Sequence, residues 1–194
     1  MIYTVTLNPS IDLFAEFDDL VLGERNNIKA ERSLPGGKAL NVSRVLAALR
    51  IPTIATGFVG GFQGKFIKEW LQKEDITTDF VEIKSENRTN IKIFENNRET
   101  MINFPGPTIS ADEVNELLYY LSRVREGDTI IFGGSVPPME KDMDDDIYDR
   151  LVSVACSNKA DFVADVPGKY LLNLVKEEPL LIKPVSYTHL RAHE

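Results

Sequence analysis

Pro35-Gly36-Gly37-Lys38-Ala39-Leu40-Asn41-Val42-Ser43-Arg44 joins a glycine pair to a segment of helical spacing, and this junction decides how the rest of the chain reads. Leu40, Val42, Val45, Leu46 and Leu49 form the apolar stripe, which stops at Ile51-Pro52. At such a helix start a ligand can lie against bare backbone. The first-turn N–H groups have no intrahelical partner there, and the helix dipole favours an anion. Lys38 adds a positive charge and Asn41, one turn further on, an amide. The chemistry points to a phosphorylated or polyhydroxylated small molecule. A nucleotide P-loop does not fit, because Arg32 and Ala39 stand where that pattern needs Gly and Ser or Thr.

Upstream, Ile2-Tyr3-Thr4-Val5-Thr6-Leu7 reads as a buried strand ending in the turn Asn8-Pro9-Ser10. Asp12 follows, placed either to accept hydrogen bonds from ligand hydroxyls beyond a strand end or to satisfy a local Asx turn. Leu13-Phe14-Ala15 and Leu20-Val21-Leu22 predict short antiparallel strands outside the main layer, as part of a lid. Downstream, Ile54 to Val59 predicts a second buried strand. The glycines at 57, 60, 61 and 64 then give a tight turn into a helix over Lys65–Lys73, with Phe66, Ile67, Trp70 and Leu71 on its core face. Phe80–Lys84 and Asn90–Phe94 alternate as half-exposed strands, and Asn96-Asn97 turns the chain into Thr100–Phe104 as the second part of the lid. Ser110 with Glu113 marks a capping box before Val114, Leu117, Leu118 and Leu121. Asp128–Phe132, Asp161–Asp165 and Leu180–Lys183 read as further strands, with helices at Ile147–Cys156 and near Leu171–Val175. Cys156 reads as a core residue, and the acidic run Asp142–Asp146 as a solvated helix start without calcium-loop spacing. Repeated alternation of strand and helix predicts a mostly parallel sheet with helices on both faces.

The 194 residues are 43% hydrophobic and carry a net charge of −8, enough apolar matter for a core and the wrong sign for a nucleic-acid or anionic-membrane surface. Any anion must therefore be held by a local cluster of donors. No apolar run suggests a membrane span and the N-terminus lacks the basic start of a signal peptide, so a cytoplasmic protein is expected. Val185 to Glu194 resembles a translated sequencing-library adapter and is expected to be a non-native tail. It contains both histidines, so the remainder has no imidazole for a metal site or a catalytic dyad.

Thr6-Leu7-Asn8-Pro9-Ser10-Ile11-Asp12, Gly36-Gly37-Lys38 with Asn41, Gly57-Phe58-Val59-Gly60, Arg88-Thr89, Gly134-Ser135-Val136-Pro137 and Leu181-Ile182-Lys183-Pro184 together resemble the phosphofructokinase-B branch of the ribokinase-like sugar kinases. The resemblance runs from Ile2 to Pro184 and is strongest to bacterial members acting on fructose 1-phosphate. Ala39 and Arg50 are mild departures, standing where the family favours smaller residues.

The resemblance implies an α/β, ribokinase-like fold with a small β lid at about 12–34 and 88–104, residues 1–184 being the N-terminal part of one kinase domain. It implies ATP and Mg²⁺ as cofactors and phosphorylation of fructose 1-phosphate to fructose 1,6-bisphosphate. Tagatose 6-phosphate is the alternative substrate, and a non-catalytic sugar-phosphate binding module the alternative for the chain as written. Asp12 would bind sugar hydroxyls, and Gly36, Gly37, Lys38 and Asn41 would line the sugar-phosphate site. Arg88 would grip the substrate's phosphate, with Asn90 and Asn103 nearby on the lid. Asp165 and Lys183 would stand at the near edge of the nucleotide. The family's Gly-Ala-Gly-Asp stretch, whose Asp is the general base, does not occur in these residues. A C-terminal truncation before the ATP-binding part, an inactive fragment and an uncovered apolar strand edge are therefore expected, as is a possible homodimer through the lid.

Overall fold

The computed structural model describes residues 1–140 and 146–183; residues 141–145, which hold most of the acidic run expected over 142–146 to start a helix, and those from 184 onward lie outside the described residues. Strand β1 (Ile2–Thr6) pairs in parallel with β4 (Thr53–Val59) on one side and β9 (Thr129–Gly133) on the other. Beyond β9 come β10 (Asp161–Asp165) and β11 (Leu181–Ile182), again parallel. On the far side β5 (Thr77–Thr78) and β6 (Val81–Glu82) both pair with β4. Thr6 lies opposite Gly57, and Asp165 opposite Gly133, so the carboxyl ends of the central strands form one rim.

The two-residue period of the strands explains the layering. Val5 and Phe58 turn to the face covered by α3 (Ala111–Leu121), α4 (Ile147–Ser157) and α5 (Gly168–Leu174), joining Leu117, Leu121, Leu151, Phe132 and Tyr148 in the larger core. Ala55 and Val59 turn to the opposite face, under α1 (Lys38–Ala48) and α2 (Gly61–Lys73), where Leu40, Ile67 and Leu71 are buried. Phe66 and Trp70 border that core, half-buried. Arg44 of α1 forks onto Glu74 at 2.7 and 2.8 Å and ties the two helices together. The capping box is formed: Ser110 Oγ accepts from Glu113 N, and the Glu113 carboxylate accepts from Ser110 N at 2.7 Å.

A second sheet stands over the rim in the order β3–β2–β7–β8, built from β2 (Ser10–Phe17), β3 (Ala30–Gly36), β7 (Arg88–Glu95) and β8 (Arg98–Ile102). Its two inner strands run parallel, Ser10 beside Arg88 and Asp12 beside Asn90. Asn96 (φ 46°) and Asn97 (φ 60°) make the β7–β8 hairpin, both in the left-handed region that primed turns require. Asn87, buried, fixes the sheet to the rim: its Nδ2 donates to Phe58 O at 3.0 Å and its Oδ1 accepts from Gly60 N at 2.8 Å.

Four local expectations are corrected. Leu20–Leu22 is not a strand: Asn26 bonds Val21 N and O there, and the partner of β2 is Ala30–Gly36, whose polar residues hid it. Phe80–Lys84 contributes only Val81–Glu82, to the main sheet, because Phe80, Val81 and Ile83 are all buried in its cores. Helix α2 begins at Gly61, four residues early, its first turn closed by Gly64 N donating to Gly60 O at 3.0 Å. Cys156 is exposed, since the buried face of α4 runs through Leu151, Val152 and Ala155.

Candidate functional site

A cavity of about 930 Å³ lies between the strand rim and the second sheet, within the size range of small-molecule sites. Its floor is the start of α1. The helix N-cap is Gly37, which has no side chain to offer, and Thr6 of β1 supplies the missing acceptor, Leu40 N donating to Thr6 Oγ1 at 3.0 Å. Gly37 has φ 144°, and a side chain there would approach the Thr6 methyl to 2.7 Å. At Gly36 a side chain would strike the Asp12 carboxylate and the Ser10 hydroxyl. The glycine pair thus lets the polar side chains of β2 lie directly on the backbone that feeds the helix.

Asp12 is the hub. Its Oδ1 accepts from Ser10 Oγ at 2.7 Å and Asn90 Nδ2 at 3.1 Å, and its Oδ2 lies 2.9 Å from Lys92 Nζ. Burial alone would raise this carboxyl, but the hydrogen bonds from Lys92, Ser10 and Asn90, with the Lys92 charge, outweigh it and hold the group below the ordinary carboxylate value. Asn90 is buried and also accepts from Phe104 N at 3.2 Å, which fastens the end of the hairpin. Arg88 Nη1 donates to Phe104 O at 2.9 Å, and Nη2 to Asn8 O at 3.1 Å and Ser135 Oγ at 3.3 Å. Burial lowers its pKa, partly offset by the charge of Asp12.

At the main-sheet end, Lys38 Nζ sits 3.0 Å from Asp165 Oδ1, and Lys183 Nζ 2.8 Å from Asp165 Oδ2. Here too burial pushes the carboxyl up, and the two lysines more than compensate and hold it low. Pro167 and Gly168, at the start of α5, close this end.

Of the expected site residues, Asp12, Gly37, Lys38, Asn41, Arg88, Asn90 and Asn103 line this one cavity. Gly36 lies behind Asp12 rather than on the wall, and Asp165 and Lys183 reach the cavity through Lys38. Asn8, Ser10, Lys92 and Ser135 also line it and were not anticipated. Ser10 and Lys92 could have been found by strand parity, being two residues from Asp12 and Asn90 on the same face. Asn8 and Ser135 come together only through the fold. Among the described residues no group of three His, Cys, Asp or Glu side chains is placed to hold a metal ion, and no helix is long and apolar enough to cross a membrane.

The family model for pfkB family carbohydrate kinases matches residues 5–177. The chain is 38% identical over 184 residues to a 1-phosphofructokinase of Bacillus subtilis, covering 95% of this chain and 59% of the relative. It is 39% identical, over the same shares, to a D-tagatose-1-phosphate kinase of Bacillus licheniformis. Among solved structures, Escherichia coli phosphofructokinase-2 in complex with substrates and products superposes with a TM-score of 0.89 at 25% identity, covering 96% of this chain and 61% of that one. The chain thus spans about three fifths of the length of the relatives it matches.

Proposed function

The chain belongs to the pfkB family of carbohydrate kinases, and on that premise we propose that its cavity takes a ketohexose monophosphate, fructose 1-phosphate first, for ATP-dependent phosphorylation to fructose 1,6-bisphosphate. The observation that carries this reading is the convergence of Asp12, Asn90 and Lys92 of the second sheet with Lys38 and Asn41 of α1 on one cavity in an acidic protein. Asp12, held ionised by its neighbours, accepts hydrogen bonds from sugar hydroxyls. The second sheet serves as a lid that excludes water, and transfer in such a site rests on positioning and charge stabilisation. Residues 1–184 form part of one kinase domain, with the lid at about 12–34 and 88–104.

For the nucleotide, the paired lysines at Asp165 suit an anionic phosphate: Lys38 and Lys183 would hold the terminal phosphate of ATP, which supplies the transferred group when bound. Mg²⁺ would accompany the ATP, held chiefly by its phosphates and water, as the described residues contain no group of three His, Cys, Asp or Glu side chains placed to hold an ion by themselves. The Gly-Ala-Gly-Asp stretch does not occur in the sequence, so this chain is expected to bind the sugar phosphate without turning it over.

A tagatose phosphate is the second reading, favoured by the 39% identity to the D-tagatose-1-phosphate kinase. The protein is placed in the cytoplasm, where sugar phosphates occur. A homodimer through the lid is supported by β8, an edge strand exposed at every residue, and by the stacked Phe14 and Phe94 on the open part of the same sheet.

Calorimetric titration of the 194-residue chain with fructose 1-phosphate, tagatose 1-phosphate and inorganic phosphate tests this function. The expected result is saturable binding of a ketose phosphate, tighter than phosphate alone, and no ATP-dependent product above a no-enzyme control. Binding of neither sugar phosphate at millimolar concentration would overturn it.

A further inference from the structure

The loop that follows β9 is held from two layers at once. On the lid side, Ser135 Oγ accepts hydrogen bonds from Asn8 Nδ2 and Arg88 Nη2, each at 3.3 Å. On the core side, Gly134 N donates to Asp165 O at 3.2 Å, and Gly134 O accepts from the Tyr148 phenol at 3.1 Å. Gly134 has φ 109°, a conformation that residues with side chains rarely adopt, so the turn made here calls for glycine.

Tyr148 stands near the start of α4, in the core on the face of the main sheet opposite α1, whose own start floors the cavity. It is fully buried, and its ring packs edge-on against Tyr170 at 5.0 Å and Phe132 at 6.2 Å, which fixes where the hydroxyl lies. Burial, with Tyr170 and Asp165 nearby, pushes the phenol far above its ordinary value. It therefore keeps its proton through the physiological range and remains a donor.

A trans peptide holds its C=O antiparallel to the N–H of the next residue, and no cis peptide occurs among the described residues. With Gly134 O drawn to Tyr148 in the core, Ser135 N–H points the other way, toward the cavity that Gly134 and Ser135 line. Among the described residues nothing accepts a hydrogen bond from Ser135 N. The loop thus holds a backbone donor that is oriented and unengaged.

We propose that Tyr148 is a positioning residue: by fixing the Gly134–Ser135 peptide from behind, it presents Ser135 N–H to an acceptor oxygen of the bound sugar phosphate. The inference rests on the reading of the cavity as a sugar-phosphate site. Tyr148 itself never touches the ligand. An amide already in place needs no ordering when the ligand arrives. Lys38 and Lys92 are each paired with an aspartate, whereas this donor has no partner to give up.

The test compares wild type with Tyr148→Phe, which keeps the ring and its packing and removes one hydroxyl. Each is titrated with fructose 1-phosphate and read by calorimetry and by the ¹H–¹⁵N resonance of Ser135. If wild type does not bind, the sugar-phosphate reading itself fails. Given wild-type binding, the Ser135 amide proton is expected to move downfield and to gain protection from hydrogen exchange as the site fills. Tyr148→Phe should bind about tenfold more weakly, the order expected for one hydrogen bond to a charged group. Its Ser135 amide should respond less, because the peptide is free to turn over. A tyrosine that served only as core packing would lower the variant's denaturant midpoint and leave affinity and amide response as in wild type. The wild-type amide response is read independently of any variant's folding. A silent Ser135 amide in ligand-bound wild type, or wild-type affinity in folded Tyr148→Phe, would each overturn the proposal.

Discussion

Asp12 accepts three hydrogen bonds while largely buried, and the balance of its environment has a consequence for pH. Its folded-state pKa is depressed despite burial, because the Lys92, Ser10 and Asn90 contacts outweigh desolvation. The folded state therefore holds this proton less tightly than the unfolded chain, whose carboxyl titrates near the ordinary value of about 3.9. The stability it contributes is complete above that value and is lost as pH falls through the lower, folded value. Asp165 has the same sign. Urea midpoints measured from pH 6 down to 2.5 should drop for wild type, and Asp12→Asn should flatten part of that drop. An identical acid limb in the variant would show that the carboxylate is not held in this network. Asp12 was legible in the sequence because it follows a buried strand and its turn. Lys92 was legible only through its parity with Asn90, because a lysine in a half-exposed strand otherwise looks the same whether it faces solvent or a carboxylate on a strand distant in sequence.

Helix α1 shows how much of an element's stability comes from outside it. Its N-cap lacks a side chain, and the acceptor for Leu40 N belongs to β1. Thr6→Val keeps the shape and removes that acceptor, leaving a buried N–H unpaired, at an expected cost of about 1–3 kcal/mol in denaturant unfolding. Helix α3 is the local counterpart: its cap is its own Ser110, and Ser110→Ala should cost about 1 kcal/mol. If the Thr6 variant is no less stable than wild type, the cross-element cap is unimportant. The same contrast explains which elements were readable. The capping box of α3 and the β7–β8 turn at Asn96-Asn97 are encoded within a few residues, whereas the expected stripe of α1 is not its buried face: Ala39, Leu40 and Ser43 are buried, while Val45 and Leu49 are exposed. The first turn of α2 and the pairing of β3 depend on Asn87 and β2, which are distant in sequence. Polar Glu31, Arg32 and Ser33 carry no strand period that could announce β3.

For the whole molecule, the two-layered burial of the parallel sheet accounts for why strand and helix alternation alone sufficed for the fold class. Near-continuous apolar strands separated by amphipathic helices admit few other arrangements. The site is a different matter, since it exists only where the second sheet closes over the rim. At the other margin, β11 is the outermost described strand on its side of the main sheet, and Leu172, Leu180 and Leu181 nearby are exposed. Such a surface favours self-association. Sedimentation velocity across a concentration series should show mass rising with concentration. Substituting Leu172 and Leu181 by Lys should hold the chain at monomer mass. A wild-type monomer at all concentrations would mean that this margin is not adhesive.

The bond between Leu40 N and Thr6 Oγ1 closes a loop in the path of the chain. The polypeptide leaves the main sheet at Thr6, traces β2 and β3, and returns at Lys38 within one hydrogen bond of its exit. Topologically, the first half of the lid is a cassette spliced into a β1–α1 unit whose own ends already meet. Lineages could therefore lengthen, trade or discard it without rewiring the strands beneath, and the specificity of such a scaffold would be inherited separately from its architecture.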